Sequence, residues 1–223
     1  MGFLTPFAEF FVFPKLVVRG DIEQTVLNIR SNATLFLAGA FANLTTYILD
    51  VVVAWALWVL LKPVDPSLSM LTAWFRLMYT AIALFGPLKL FTAYRLLGTS
   101  GSVPAASSVS SYDQIELLLE SSRHEWGIGL MLFGIHLILL GYLAYRSNFI
   151  PRILGVLLVV AGLGYAVVNL GPYLYPSVDV GWLSITFFGE VIFMFWLLVR
   201  GWKISESAAG ARAAAAEPRS VGR

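Results

Sequence analysis

Four ionisable residues of this 223-residue chain lie deep inside long apolar runs: Asp50, Arg76, His136 and Glu190. Carboxylates, a guanidinium and an imidazole in such surroundings can form an ion pair, move a proton or bind a polar solute, because an isolated charge there is costly. Their neighbours extend the pattern. Asn43, Thr46 and Asp50 stand at i, i+3 and i+7, and Thr72, Arg76 and Thr80 follow one another at steps of four, which on a helix puts each trio on one stripe. The link KPVDPS joins the two runs into an antiparallel hairpin, so an Asp50–Arg76 ion pair is the economical expectation. His136 and Glu190 then pair with each other, join that group, or stand apart as neutral groups. Left alone in lipid, each charge would cost about 2.5–3.5 kcal/mol on insertion scales.

The elements that must position these residues are membrane spans. The chain is 58% hydrophobic and 13% charged, against the roughly 25% charged residues of a soluble domain. About 20 helical residues cross a hydrocarbon core of about 30 Å. Five segments meet that length, approximately 33–61, 71–97, 127–145, 153–175 and 181–199, each bounded by turn-forming residues. A sixth, 1–18, is expected as a short or truncated first span carrying Glu9 and bent or ended near Pro14. Ile22, Val26 and Ile29 mark a short surface helix, and SYDQIELLLESSRHEW an amphipathic helix running into the fourth span. The fold class expected is all-α: a polytopic transmembrane bundle of six spans forming one domain over 1–204, with a disordered tail over 205–223.

Lysine and arginine near span ends set the orientation. Lys62, Arg146 with Arg152, and Arg200 with Lys203 and Arg212 fall on one side, which places both termini in the cytoplasm of a bacterial inner membrane protein. The other side carries Asp113, Glu116, Glu120, Glu125 and Asp179, diluted by Lys15, Arg19, Arg30 and Arg95. Counting from the cytoplasmic ends at ~1.5 Å per residue puts Glu190 about 15 Å deep, Asp50 about 16 Å, His136 about 13 Å and Arg76 about 9 Å. All four can meet in one layer.

Several chemistries are set aside. Cysteine is absent and histidine occurs twice, which removes thiolate chemistry and makes a zinc site improbable, so neither metal nor cofactor is expected. His124 and His136 lie on one helix about 18 Å apart, too far to grip one haem from both faces. Basic residues are dispersed rather than clustered with aromatics, which excludes nucleic acid as a partner. The lipid bilayer is the expected partner, with a small solute or lipid-like ligand besides. Gly127, Gly134 and Gly141 recur every seven residues, as do Gly155 and Gly162, a pattern that permits close helix packing. Lys89 is expected to snorkel to the interface. Tyr165 and Asn169 are expected to make a helix–helix hydrogen bond or to line a vestibule.

Four stretches, DVVVAWALWVLLKPVD, LTAWFRLMYTAI, FGIHLILLGYLAYRSNFIPRILGVLLVVAGLGY and GEVIFMFWLLVRGWK, resemble the bacterial domain-of-unknown-function 4386 family of small integral membrane proteins, over roughly residues 9–203. The turn YRSNFIPRILG is the most specific of them. The resemblance implies a multi-span helical protein and supplies no catalytic residues. Three classes of function remain in play: binding of a solute, proton or lipid-like ligand at the buried polar layer; a structural or sensory scaffold in which that layer is a polar clamp; and an intramembrane enzyme. No nucleophile elbow, phosphate loop or paired-aspartate motif accompanies the third.

Overall fold

A computed structural model describes residues 4–99, 105–174, 178 and 180–201. Among them the chain is helical nearly throughout and contains no strand. The expected tail over 205–223, with Trp202, Lys203, Arg212 and Asp179, lies outside the described residues.

The first helix, α1, runs through Leu4–Pro6, Phe7–Val12 and Phe13–Leu16. Its middle is wound as a π-helix, in which Phe13 N–H bonds back to Ala8 O. The wider turn stands directly before Pro14, whose missing N–H would break an α-helical ladder. After Gly20, which turns with φ of 76°, Asp21 caps α2 (Ile22–Ser31) by accepting from Gln24 N–H at 2.9 Å. Val26 and Ile29 are buried, as their spacing predicts.

Five helices are long and apolar enough to cross a membrane: α3 (Ala33–Leu61), α4 (Pro66–Gly98), the Ser111–Arg146 part of α5 (Ala105–Arg146), α6 (Arg152–Leu174) over Arg152–Gly171, and α7 (Gly181–Gly201). The described part of α1, at ~1.5 Å per residue, is about 20 Å long against a core of about 30 Å. It lies antiparallel to α3: Thr5 Oγ1 meets Thr46 Oγ1 at 3.2 Å, Asn43 meets Glu9 at 2.9 Å, and the Phe13 and Phe36 rings are 6.1 Å apart. Helix α4 starts earlier than apolarity alone suggests. Asp65 accepts from Leu68 N–H at 2.9 Å and Pro66 occupies the first turn, a capping arrangement that fixes the start. The same helix is interrupted at Leu84, three residues before Pro87, which cannot donate to the Ala83 carbonyl.

Helices α5 and α6 form the tightest pair. A Cβ added at Gly162 would stand 2.5 Å from Gly134 O, and one at Gly141 2.6 Å from Gly155 O, so both glycine series are seams of backbone contact. Helix α7 packs on α6 through Gly189, where a Cβ would lie 2.5 Å from Leu157 O. The rest of α7 is open, with Trp182 71% and Leu198 70% exposed, as suits a surface that faces hydrocarbon. Two apolar clusters make up the interior. One joins Tyr47, Tyr79, Phe133 and Leu158 across α3 to α6; the other joins Val12, Ile29, Phe36 and Leu90 around α1 and α2.

Candidate functional site

Alternation of the helices brings the Lys62 loop, the Arg146–Arg152 turn and Arg200 to one end of the bundle. From that end Asp50, Arg76, His136 and Glu190 all lie about 15 Å along their axes. Arg76 sits at that depth because α4 begins at Pro66, so no reach of its side chain is needed to bring it into the layer.

The structure assembles three of the four into a closed unit. Arg76 Nε donates to Asp50 Oδ1 at 3.0 Å, and Arg76 Nη2 forms an ion pair with the same oxygen. Arg76 Nη1 lies 3.2 Å from His136 Nε2, and His136 Nδ1 lies 2.8 Å from the Thr72 carbonyl. A carbonyl only accepts, so Nδ1 carries the proton and Nε2 accepts from the guanidinium. Arg76 also stacks over Phe133 with its Cζ 5.2 Å from the ring centroid, a cation–π contact. Asp50, Arg76 and His136 are 1%, 4% and 0% exposed. Thr72 and Thr80 turn their hydroxyls onto the carbonyls of Leu68 and Arg76 in their own helix, at 2.7 and 2.8 Å. None of these residues lines the cavity of about 370 Å³ between α1, α3, α4 and α5 or the smaller one beside Arg30 and Tyr94.

Glu190 meets a different partner from the one its depth suggests. Tyr165 donates its hydroxyl to Glu190 Oε2 at 3.2 Å, and His136 is engaged elsewhere. Helix α7 packs on α6 at Gly189, and its carboxylate meets an α6 side chain. Asn169 bonds the Tyr165 carbonyl of its own helix at 2.8 Å. Lys89 forms an ion pair with Glu125 of α5.

A second polar region lies towards the opposite end, where α1, α3, α4 and α5 enclose a cavity of about 370 Å³. Its polar lining is Glu9, Asn43, Tyr47, Ser122 and Trp126, with Arg19 and Arg123 at its exposed edge. Asn43 Nδ2 donates to Glu9 Oε1 at 2.9 Å. Beyond that bond the lining is unpaired. Asn43 Oδ1 is buried without a partner, and no described residue bonds Glu9 Oε2 or the hydroxyls of Tyr47, at 4% exposure, and Ser122, at 9%. Neither arginine belongs to an ion pair among the described residues. Thr46, one turn below Asn43, bonds Ala42 O at 2.9 Å and stays out of the lining.

The two regions are separated by aromatic rings. Tyr47 packs on Tyr79 at 6.3 Å, Tyr79 on Phe133 at 4.8 Å, and Phe133 on His136 at 5.5 Å. The stack forms the floor of the cavity and the roof of the ion pair. Among the described residues no three His, Asp or Glu side chains converge to hold a metal ion. Of the residues expected in the polar layer, Asn43 alone lines the cavity. Sequence reasoning missed Tyr47, Ser122, Arg123 and Trp126. The i, i+4 steps Asn43–Tyr47 and Ser122–Trp126 were the available signal, although only the folded position of α1 closes the site.

The chain is 38% identical over 162 residues to an uncharacterised protein of Archaeoglobus fulgidus, covering 71% of this chain and 81% of that relative. No solved structure matches. The model of the family described as Domain of unknown function (DUF4386) matches residues 1–201, and the chain belongs to that family.

Proposed function

We propose that this protein is a multi-pass protein of the cytoplasmic membrane that binds a small polar or amphiphilic ligand in the cavity between α1, α3, α4 and α5. Asp50, Arg76 and His136 serve beneath it as a clamp that holds α3, α4 and α5 in register. The end that carries Lys62, the Arg146–Arg152 turn and Arg200 is taken as cytoplasmic, with the cavity in the outer half. Helix α1 is then a short sixth membrane segment inserted along α3.

One observation carries the reading: a cavity inside an apolar bundle presents a carboxylate oxygen, an amide oxygen and two hydroxyls that have no partners among the described residues. Buried polar groups are ordinarily bonded, and each that is not costs about 1–3 kcal/mol. A volume of about 370 Å³ falls in the range of small-molecule sites, about 300–1,000 Å³. In the clamp, by contrast, Asp50, Arg76 and His136 are bonded to one another and to the Thr72 carbonyl.

Native mass spectrometry of protein extracted in mild detergent tests this. Wild type should retain a bound small molecule or lipid, and Ala83→Leu or Leu90→Phe, which fill the cavity, should lose it. Retention of the same species at wild-type occupancy by both variants, or its absence from wild type, would overturn the reading.

A further inference from the structure

We infer that the ligand of this cavity is a zwitterion, with a primary ammonium directed to Glu9, Asn43 and Tyr47 and an anionic group held by Arg19 and Arg123. The inference rests on the cavity being a binding site and adds the chemistry of its occupant.

The inner lining is made of acceptors. Glu9 Oε1 already accepts from Asn43, which leaves Glu9 Oε2, Asn43 Oδ1 and the Tyr47 oxygen facing the same small space. An ammonium carries three donors and a positive charge, and it matches three acceptors of which one is anionic. The Tyr47 and Trp126 rings beside it add faces that attract a cation. The exposed edge is the reverse. Arg19 and Arg123 bring two guanidinium forks, each suited to bidentate contact with a phosphate or carboxylate, and neither is spent on an ion pair among the described residues. Arg123 lies close enough to Glu9 to interact with it electrostatically, so the two poles of the site are near each other.

Simpler ligands fit less well. An anion alone would face the Glu9 carboxylate, a cation alone would face two arginines, and a neutral sugar would leave all three charges unmatched. A short molecule with an ammonium at one end and an anion at the other satisfies both poles. Two sources share that chemistry: the head group of an aminophospholipid, and a free phospho- or carboxy-amine from the aqueous side. The cavity volume of about 370 Å³ suits a head group or a free molecule, with any acyl chains left outside along the lipid-facing surface.

The test uses the full chain in nanodiscs of phosphatidylglycerol, with thermal unfolding followed by intrinsic fluorescence as O-phosphoethanolamine, ethanolamine or inorganic phosphate is titrated in. A parallel set of nanodiscs contains phosphatidylethanolamine. Stabilisation by O-phosphoethanolamine at concentrations where neither half-molecule acts identifies a free zwitterion; stabilisation confined to phosphatidylethanolamine discs identifies the lipid head group. In either case Glu9→Gln and Arg123→Gln should each weaken the effect by at least about tenfold, the loss of one charge-assisted contact. Glu9→Gln should spare any weak response to phosphate, and Arg123→Gln any weak response to ethanolamine. Equal responses to the whole molecule and its halves, or unchanged binding in Glu9→Gln, would overturn the inference. If the species displaced by Ala83→Leu proves neutral or singly charged, the zwitterion falls while the binding site stands. If nothing is displaced, both fall.

Discussion

The bundle contains two polar regions about 10 Å apart along α3, one centred on Asp50 and one on Asn43, and they solve the same problem in opposite ways. Around Asp50, Arg76 supplies donors that Asp50 and His136 accept, and His136 returns its remaining proton to the Thr72 carbonyl. Around Asn43, one bond links it to Glu9 and the other polar atoms face open volume. Both regions use charged groups at membrane depth. What separates them is whether the chain itself provides the counterparts, and that difference distinguishes a group that holds helices together from one that waits for something else.

The sharpest way to break the comparison is to unpair the clamp. Arg76→Met leaves the Asp50 carboxylate buried among α3, α4 and α5, and loss of one partner of a buried pair costs on the order of 3–5 kcal/mol. Thermal unfolding in detergent should show the collapse, and the double variant Asp50→Leu with Arg76→Met should recover most of it, since an apolar pair of similar volume is often neutral. Failure of the double variant to recover while still inserting would assign the pair a role other than packing. His136→Leu strands one guanidinium nitrogen, and it should cost about 1–3 kcal/mol by the same measurement.

Glu190→Gln comes next in size. Its hydrogen bond among the described residues is to Tyr165, and an interhelical hydrogen bond in a membrane is worth about 0.6 kcal/mol on average. A melting temperature close to wild type is therefore expected. A loss as large as that of His136→Leu would make Glu190 part of the clamp after all.

The clamp was legible because membrane charges must find partners and because Asp50 and Arg76 sit on polar stripes of two helices joined by a short turn. Even the error in the depth of Arg76 came from one overlooked signal, the Asp65–Pro66 start of α4. Glu190 was harder to read. Depth along a helix says nothing about the direction in which a side chain points, and α7 turns its carboxylate to Tyr165 of α6. The partner of Lys89 was illegible for a similar reason: Glu125 is 36 residues away, on another helix. The cavity was the least legible feature. Its walls come from four helices, and it exists because α1 lies back along α3 and carries Glu9 to Asn43.

The smallest change in stability should come from the residue that most directly separates the two regions. Tyr47 stands on the cavity floor, with its ring on Tyr79 and its hydroxyl unbonded among the described residues. Removing that hydroxyl in Tyr47→Phe keeps the ring contact and discards a polar group that the folded chain does not satisfy. In protein stripped of bound molecules by detergent exchange, the melting temperature should stay level or rise, by no more than the equivalent of about 1 kcal/mol. Occupancy of the cavity should move the other way, falling about three- to tenfold with the loss of one hydrogen bond. A clamp residue cannot behave so, because there stability and contact are lost together. If Tyr47→Phe lowers stability in stripped protein and leaves occupancy untouched, the hydroxyl has a partner within the fold, and the cavity belongs with the clamp as structure.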